Sequence, residues 1–279
     1  MNAIDLVEEE VRAALVDHRR RPLVVGLCGA QGSGKSTIAA ALVARLGADG
    51  IAAAALSIDD LYLTRAERMA LAAAVHPLLA TRGVPGTHDT ARGLALFAAI
   101  EQGEAVRLPR FDKARDDRAP EPEWTPIAAG LDVLIFEGWC VGAAPQIAAD
   151  LAVPANALEA TEDNDGVWRR FVNAALGGPG YRDLFARIDR LVLLAAPGFD
   201  IVRGWRIEQE RNGAAVMTDA EVVRFVAHYE RLTRHILNEM PGRADRVIRL
   251  AADRSVAGVS PTASSADTSS SARSCAPTA

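Results

Sequence analysis

Gly29-Ala30-Gln31-Gly32-Ser33-Gly34-Lys35-Ser36-Thr37 packs three glycines, a lysine and three hydroxyls into nine residues. The spacing G-x-x-x-x-G-K-[ST] belongs to loops whose backbone N–H groups wrap nucleotide phosphates. Lysine suits the loop because the β- and γ-phosphates need a compact point charge, which arginine's planar fork does not supply. Only two of the 31 basic residues are lysines, Lys35 and Lys113, so each marks a position where arginine is not an equivalent. Lys35 is expected to bridge the β- and γ-phosphates of ATP, and the Ser36 hydroxyl to ligate Mg²⁺.

Two acidic segments complete the chemistry. Leu56-Ser57-Ile58-Asp59-Asp60-Leu61-Tyr62 follows an apolar run and puts paired carboxylates at the carboxyl end of a strand, where open α/β sheets place ligands. Asp59 there could orient an acceptor hydroxyl and take its proton, help that is typically worth roughly 10²–10⁴ in rate. Leu131-Asp-Val-Leu-Ile-Phe136-Glu137-Gly138 is the second, and Glu137 would hold Mg²⁺ or its waters near Ser36. A guanine-reading Asn-Lys-x-Asp and a transporter-type Leu-Ser-Gly-Gly-Gln are both absent. These features favour a small-molecule kinase over a GTPase switch or a mechanical ATPase.

The phosphate loop, Ser57-x-Asp59-Asp60-x-Tyr62 and Glu137-Gly138 resemble the uridine kinase, phosphoribulokinase and pantothenate kinase superfamily. Within it the chain is most similar to D-glycerate 3-kinases and their relatives, over roughly residues 20–252. The carrying residues include Arg82-Gly-Val-Pro-Gly-Thr-His88-Asp89, Pro109-Arg110-Phe111-Asp112-Lys113 and Phe136-Glu-Gly-Trp139. Farther along come Asp165-Gly-Val-Trp168-Arg169, Ala196-Pro-Gly-Phe199 and Trp205-Arg206-x-x-Gln209-Glu210. The resemblance implies Asp59 as the catalytic carboxylate with Asp60 beside it. It puts Tyr62, His88, Asp89, Arg110, Asp112 and Lys113 in or near the acceptor pocket. Arg203, Arg206 and Arg211 fall on a lid that closes over the phosphates, with Arg203 or Arg206 stabilising transferring charge. By analogy the adenine base lies near Ala251–Arg254.

A hydroxy-acid acceptor carries a carboxylate, so its pocket needs a fixed cation, for which Arg82, His88, Arg110 and Lys113 are the candidates. One departure bears on this. After Asp112-Lys113, glycerate kinases of this type continue with a longer Ser- and Gly-rich segment, whereas here Ala114-Arg-Asp-Asp117-Arg118 is compressed. Other acceptors (a nucleoside, pantothenate or a sugar phosphate) and a non-catalytic ATP-binding regulatory protein stay open.

The elements that must position these residues are legible in the same pass. Apolar runs predict strands at Leu23–Cys28, Ala52–Ser57, Leu131–Phe136, Arg190–Ala195 and Arg246–Leu250, mostly separated by helical stretches. Helices are expected over 3–18, from Ser36 to Leu46, and over Asp219–Met240, where Val222, Phe225, Val226, Tyr229, Leu232 and Ile236 mark a packed face. The expected fold is α/β: a P-loop NTPase three-layer sandwich with a mainly parallel five-stranded sheet flanked by helices. Residues 1–254 would form the kinase domain, with a helical lid near 200–215. Residues 255–279 would be a disordered Ser/Thr/Ala-rich tail.

At 279 residues and 49% hydrophobic content the chain can bury a full core. A net charge of −5 argues against a general nucleic-acid or membrane-surface binder, and the partner expected from the kinase motifs is a small-molecule hydroxyl acceptor. Cys28, Cys140 and Cys275 show no metal or redox spacing, and Glu8-Glu9-Glu10 interrupts any secretory-type apolar segment. A reduced, cytoplasmic setting is therefore expected.

Overall fold

Leu23–Gly29 is apolar on both faces, and it forms a fully buried strand, β1, inside the sheet. The computed structural model describes residues 1–18, 22–212 and 217–260. Over these, β1 is joined by β2 (Ala53–Ser57), β3 (Val133–Gly138), β4 (Arg190–Ala195), β5 (Arg246–Leu250) and β6 (Val256–Ser260). The spatial order is β6-β5-β4-β1-β3-β2. All neighbours are parallel except β5 and β6, which form an antiparallel hairpin with a bulge between Val256 and Gly258.

The five expected strands are all present, and β6 is a sixth. The expected tail thus begins with an edge strand, because Val256 to Ser260 pair with β5 instead of remaining unpaired. The rest of the tail, 261–279, and Cys275 with it, lies outside the described residues.

Parallel neighbours need crossovers, and these are helical. The helices are α1 (Ala3–Asp17), α2 (Lys35–Ala48), α3 (Arg65–Ala74), α4 (Thr90–Glu101) and α5 (Ala157–Glu162). They continue as α6 (Val167–Gly177), α7 (Pro179–Phe185), α8 (Phe199–Asn212) and α9 (Asp219–Glu239). Strand alternation divides the interior in two. Leu23, Val25, Leu27, Val133 and Ile135 face Val7 and Val11 of α1 and Leu42 and Leu46 of α2. Val24, Cys28, Leu134 and Phe136 face Phe97, Leu176, Leu184 and Ile236 on the other side. Helix α9 serves both cores, with Val222 and Val226 on one and Tyr229, Leu232 and Ile236 on the other. No helix among the described residues is long and apolar enough to cross a membrane.

This topology sets the site. With β1 beside β3, and β3 beside β2, the carboxyl ends of three parallel strands open side by side. The register pairs Glu137 with Leu27 on one flank and with Ser57 on the other. Phe136 anchors this strand end: it is fully buried, edge-on to Phe97 with ring centroids 5.3 Å apart. Phe136→Ala should cost about 3–5 kcal/mol. A urea titration should show the midpoint falling with an unchanged slope.

Candidate active site

The turn after β1 is shaped by glycine. Gly32 (φ +76°) and Gly34 (φ +87°) both take left-handed backbone, which disfavours a side chain. At Gly32 a Cβ would also come within 2.6 Å of Trp205 Cβ on α8. Gly34 caps α2 with no side-chain hydrogen bond, so the first N–H groups of that helix stay available to an anion. Arg254 donates to the Gly32 carbonyl at 2.7 Å while lying over the Trp205 ring, which ties the turn after β5 to this loop.

Lys35 and Ser36 then open onto a cavity also lined by Gln31, Gly32, Ser57, Asp59, Tyr62, Arg82, Lys113 and Glu137. Trp139, Arg206, Gln209, Phe225 and Tyr229 complete its wall. Ser36 Oγ donates to Glu137 Oε1 at 2.8 Å. Glu137 is 4% exposed, and its Oε2 is buried without a hydrogen-bond partner among the described residues. A hydroxyl oxygen beside an unsatisfied carboxylate oxygen suits a hard cation such as Mg²⁺, which keeps several waters and takes other ligands from phosphates. Consistent with so sparse a set, no three His, Cys, Asp or Glu side chains converge as metal donors among the described residues.

Asp59 sits across the cavity. Ser57 Oγ accepts from its N–H and starts a short 3-10 turn over Ile58–Leu61 that turns the two neighbouring carboxylates to different partners. Asp59 Oδ1 accepts from the Tyr62 hydroxyl at 2.6 Å, and Oδ2 from Lys113 Nζ at 2.8 Å. Burial pushes its carboxyl upward, but the charges of Lys113 and Lys35 and these two hydrogen bonds outweigh burial. The net result holds Asp59 well below the usual carboxylate range. Burial and the adjacent Asp59 push the Tyr62 phenol up, which keeps it a donor. The pair is an ionised, oriented base with a mobile cation on it, Lys113 being 63% exposed.

Several residues expected in the pocket have other partners. Asp60 Oδ2 accepts from Arg110 at 2.8 Å and Oδ1 from the Phe111 N–H, and Arg110 Nε turns to Thr125. Neither Asp60 nor Arg110 lines the cavity. Asp112, half-buried at the end of the short strand Phe111–Asp112, accepts from the Ala114 and Arg115 N–H groups. Asp89 caps α4 and accepts from Arg92 and Arg118. His88 is buried behind Tyr62, stacked on it at 4.8 Å. Gly86 N–H donates to the Tyr181 oxygen, and the same hydroxyl is hydrogen-bonded to His88 Nδ1 at 2.6 Å. Asp60, Arg110, Asp89 and His88 form the frame around Tyr62 and Asp59, and Asp112 lies outside it.

The expected lid is helix α8 up to Asn212, and 213–216 lie outside the described residues. Arg206 reaches the cavity wall, paired with Glu210 at 2.8 Å and lying over Phe225. Arg203 instead approaches Asp200, and Arg211 pairs with Asp219 outside the cavity. Ala30, Ser33 and Thr37 belong to the loop without lining the cavity. Residues that sequence reasoning did not assign to the site are Gln209, Phe225 and Tyr229. Gln209 carried a signal only as part of the Trp205-Arg206-x-x-Gln209-Glu210 motif, and Tyr229 as a polar-headed aromatic in the apolar face of α9. Its hydroxyl donates to the Arg82 carbonyl at 2.9 Å and occupies the space beside Gly83 (φ +128°) that a Cβ would need. Trp139 donates to the Gly83 carbonyl and also lines the cavity.

A family model, phosphoribulokinase / uridine kinase, matches residues 24–153. The chain is 34% identical over 247 residues to the uncharacterized kinase mug58 of Schizosaccharomyces pombe, covering 82% of this chain and 87% of that protein. It is 31% identical over 224 residues to the chloroplastic D-glycerate 3-kinase of Arabidopsis thaliana, covering 75% of this chain but only 46% of the plant protein. The solved structure of a D-glycerate 3-kinase from Cryptococcus neoformans superposes with a TM-score of 0.76 at 25% identity, over 92% of this chain and 98% of that one.

His88 allows a direct check on the frame. Burial lowers its imidazole from 6.5 to about 4, so only the unfolded chain protonates it between those values. Its stability contribution is whole above pH 6.5 and is lost as pH falls towards 4. In His88→Gln, urea midpoints measured from pH 7 to 4 should fall less steeply than in the parent.

Proposed function

The chain belongs to the phosphoribulokinase / uridine kinase family, and from that premise we propose that it transfers the γ-phosphoryl group of ATP to the 3-hydroxyl of D-glycerate, giving 3-phosphoglycerate. The observation that carries the reading is a single cavity with a glycine-shaped phosphate loop and Lys35 on one wall and the ionised Asp59 on another. The choice of D-glycerate rests on the Arabidopsis and Cryptococcus relatives and on the cationic side chains around the acceptor end.

Lys35 and the loop amides from Gly29 to Thr37 bind the phosphates, at the positive end of α2. Ser36 and Glu137 would hold Mg²⁺, whose charge offsets that of the phosphate oxygens. Asp59, with one oxygen held by Tyr62, orients the acceptor hydroxyl and takes its proton as the oxygen attacks the γ-phosphorus. Its lowered pKa makes it a weak base. That suits a dissociative transfer, in which positioning matters more than early proton removal. Lys113 must give up part of its hold on Asp59 when the hydroxyl arrives, and its exposure permits that. Arg206, at the loop side of the cavity, is placed to face charge on the transferring group, and the role extends to Arg203 only if α8 moves as a lid.

Two measurements test this reading. ADP release should be followed over a panel of D-glycerate, nucleosides, pantothenate and sugar phosphates. D-Glycerate should have the highest kcat/KM, and good turnover of another acceptor with none of glycerate overturns the assignment. Asp59→Asn should lower kcat by roughly 10²–10⁴ with ATP affinity nearly unchanged, and unaltered turnover removes Asp59 from the mechanism. Separately, Lys113→Met takes away the first cation that depresses Asp59. The acid limb of kcat/KM against pH should therefore move upward, toward the ordinary carboxylate range.

A further inference from the structure

An acceptor that carries a carboxylate needs a fixed cation at its end of the cavity, and the geometry eliminates most candidates. Arg110 is held by Asp60 and Thr125 and does not line the cavity. His88 is buried behind Tyr62 and neutral. Lys113 lines the cavity but is 63% exposed and shared with Asp59, so it is not a fixed cation. Arg206 lies on α8, on the phosphate-loop side. Arg82 is left, and it lines the cavity between Tyr62 and Tyr229.

Arg82 is held by a charge cluster that is buried only at its inner end. Its guanidinium pairs with Asp116 Oδ1 and lies over the Phe111 ring, 5.5 Å from the centroid. Asp116 Oδ2 is taken by Arg68, which is 0% exposed and also lies over Phe111. Arg68 uses its other donors on the carbonyls of Leu63, Ala80 and Asp116. One carboxylate thus sits between two guanidiniums, which leaves one positive charge in excess. Asp117 also acts on Arg68, but its Oδ1 accepts from the Arg65 and Arg118 N–H groups. Because Arg68 is sealed in the interior, the excess is expressed at Arg82, which faces the cavity.

Asp116 itself is in left-handed backbone, φ +54°, unusual for a residue other than glycine. It lies in the compressed 113–118 segment, where similar kinases have a longer loop. Strained backbone of this kind persists where the surroundings over-determine it, often beside a functional group.

We propose that Arg82 anchors the carboxylate of the acceptor, and that Asp116, clamped by the buried Arg68, is the positioning residue that fixes the Arg82 fork. This rests on the kinase reading above and deepens it: the acceptor is a short alcohol bearing a carboxylate. A guanidinium already fixed on one edge and one face offers its remaining donors in a set direction, which is what bidentate recognition requires.

The test uses the full chain and two acceptors, D-glycerate and its uncharged amide, glyceramide, with ADP release as readout. The parent should prefer glycerate strongly. Arg82→Gln should raise the KM for glycerate by roughly 10- to 100-fold while leaving glyceramide and the KM for ATP unchanged, so the preference collapses. Arg82→Lys, which keeps the charge and loses the fork, should fall between. Asn tolerates left-handed backbone, so Asp116→Asn keeps the turn; it should raise the glycerate KM by about tenfold with kcat retained. Added to Arg82→Gln it should add almost nothing, an interaction that a merely structural role would not produce. Equal loss for both acceptors, or a raised KM for ATP, overturns the assignment. If the parent turns over a different carboxylate-bearing alcohol, the glycerate reading fails, and the same comparison with that alcohol and its amide decides Arg82. A parent that prefers uncharged acceptors ends the Arg82 proposal and leaves the kinase reading standing.

Discussion

Everything in this cavity depends on keeping a half-buried carboxylate ionised. Burial opposes the charge on Asp59, and the protein answers with two cations and a phenol that donates to it. None of these helpers is local to the turn that carries Asp59, apart from Tyr62. Lys35 comes from the loop after β1 and Lys113 from the turn that joins the short antiparallel strands Phe111–Asp112 and Asp117–Arg118. The ionisation state of one side chain is thus a property of the tertiary fold, and the parallel sheet is what brings the contributors together.

The second recurring device is the shared acid. Asp116 serves two arginines, and Glu137 serves Ser36 with one oxygen while the other is left unsatisfied. In both cases the protein leaves a defined electrostatic remainder pointing into the cavity, positive beside Arg82 and negative beside Glu137. Such remainders cost stability, because unbalanced charge near the interior is poorly solvated. They are also what lets an otherwise neutralised wall bind something.

Much of this was legible in the sequence because the motifs fix backbone geometry as well as residue type. The phosphate loop needs glycines at positions with left-handed backbone, so it announces its own conformation. The strands leading to it, to Asp59 and to Glu137 are apolar on both faces, which few other elements are. Side-chain direction was much less legible. Asp59 and Asp60 are neighbours of the same type, yet the 3-10 turn sends one to the cavity and the other to Arg110. His88 and Asp89 sit in a motif shared with similar kinases and serve as frame. Phe225 and Tyr229 were read only as part of a packed stripe, since helical periodicity cannot say where the core ends and a cavity begins. Strand β6 was missed because Val256-Ala-Gly-Val-Ser260 carries only two branched apolar residues beside a Ser-rich stretch.

Gly83 and Tyr229 illustrate a different kind of constraint. The phenol of α9 fills the volume that any side chain at 83 would claim, and the same oxygen secures the carbonyl of Arg82. Divergence at one position is therefore blocked until the other has changed, and the change at 229 would first release the backbone under the arginine. Across descendants of this chain the two sites should drift as a unit or stand still together, even though 146 positions separate them in sequence.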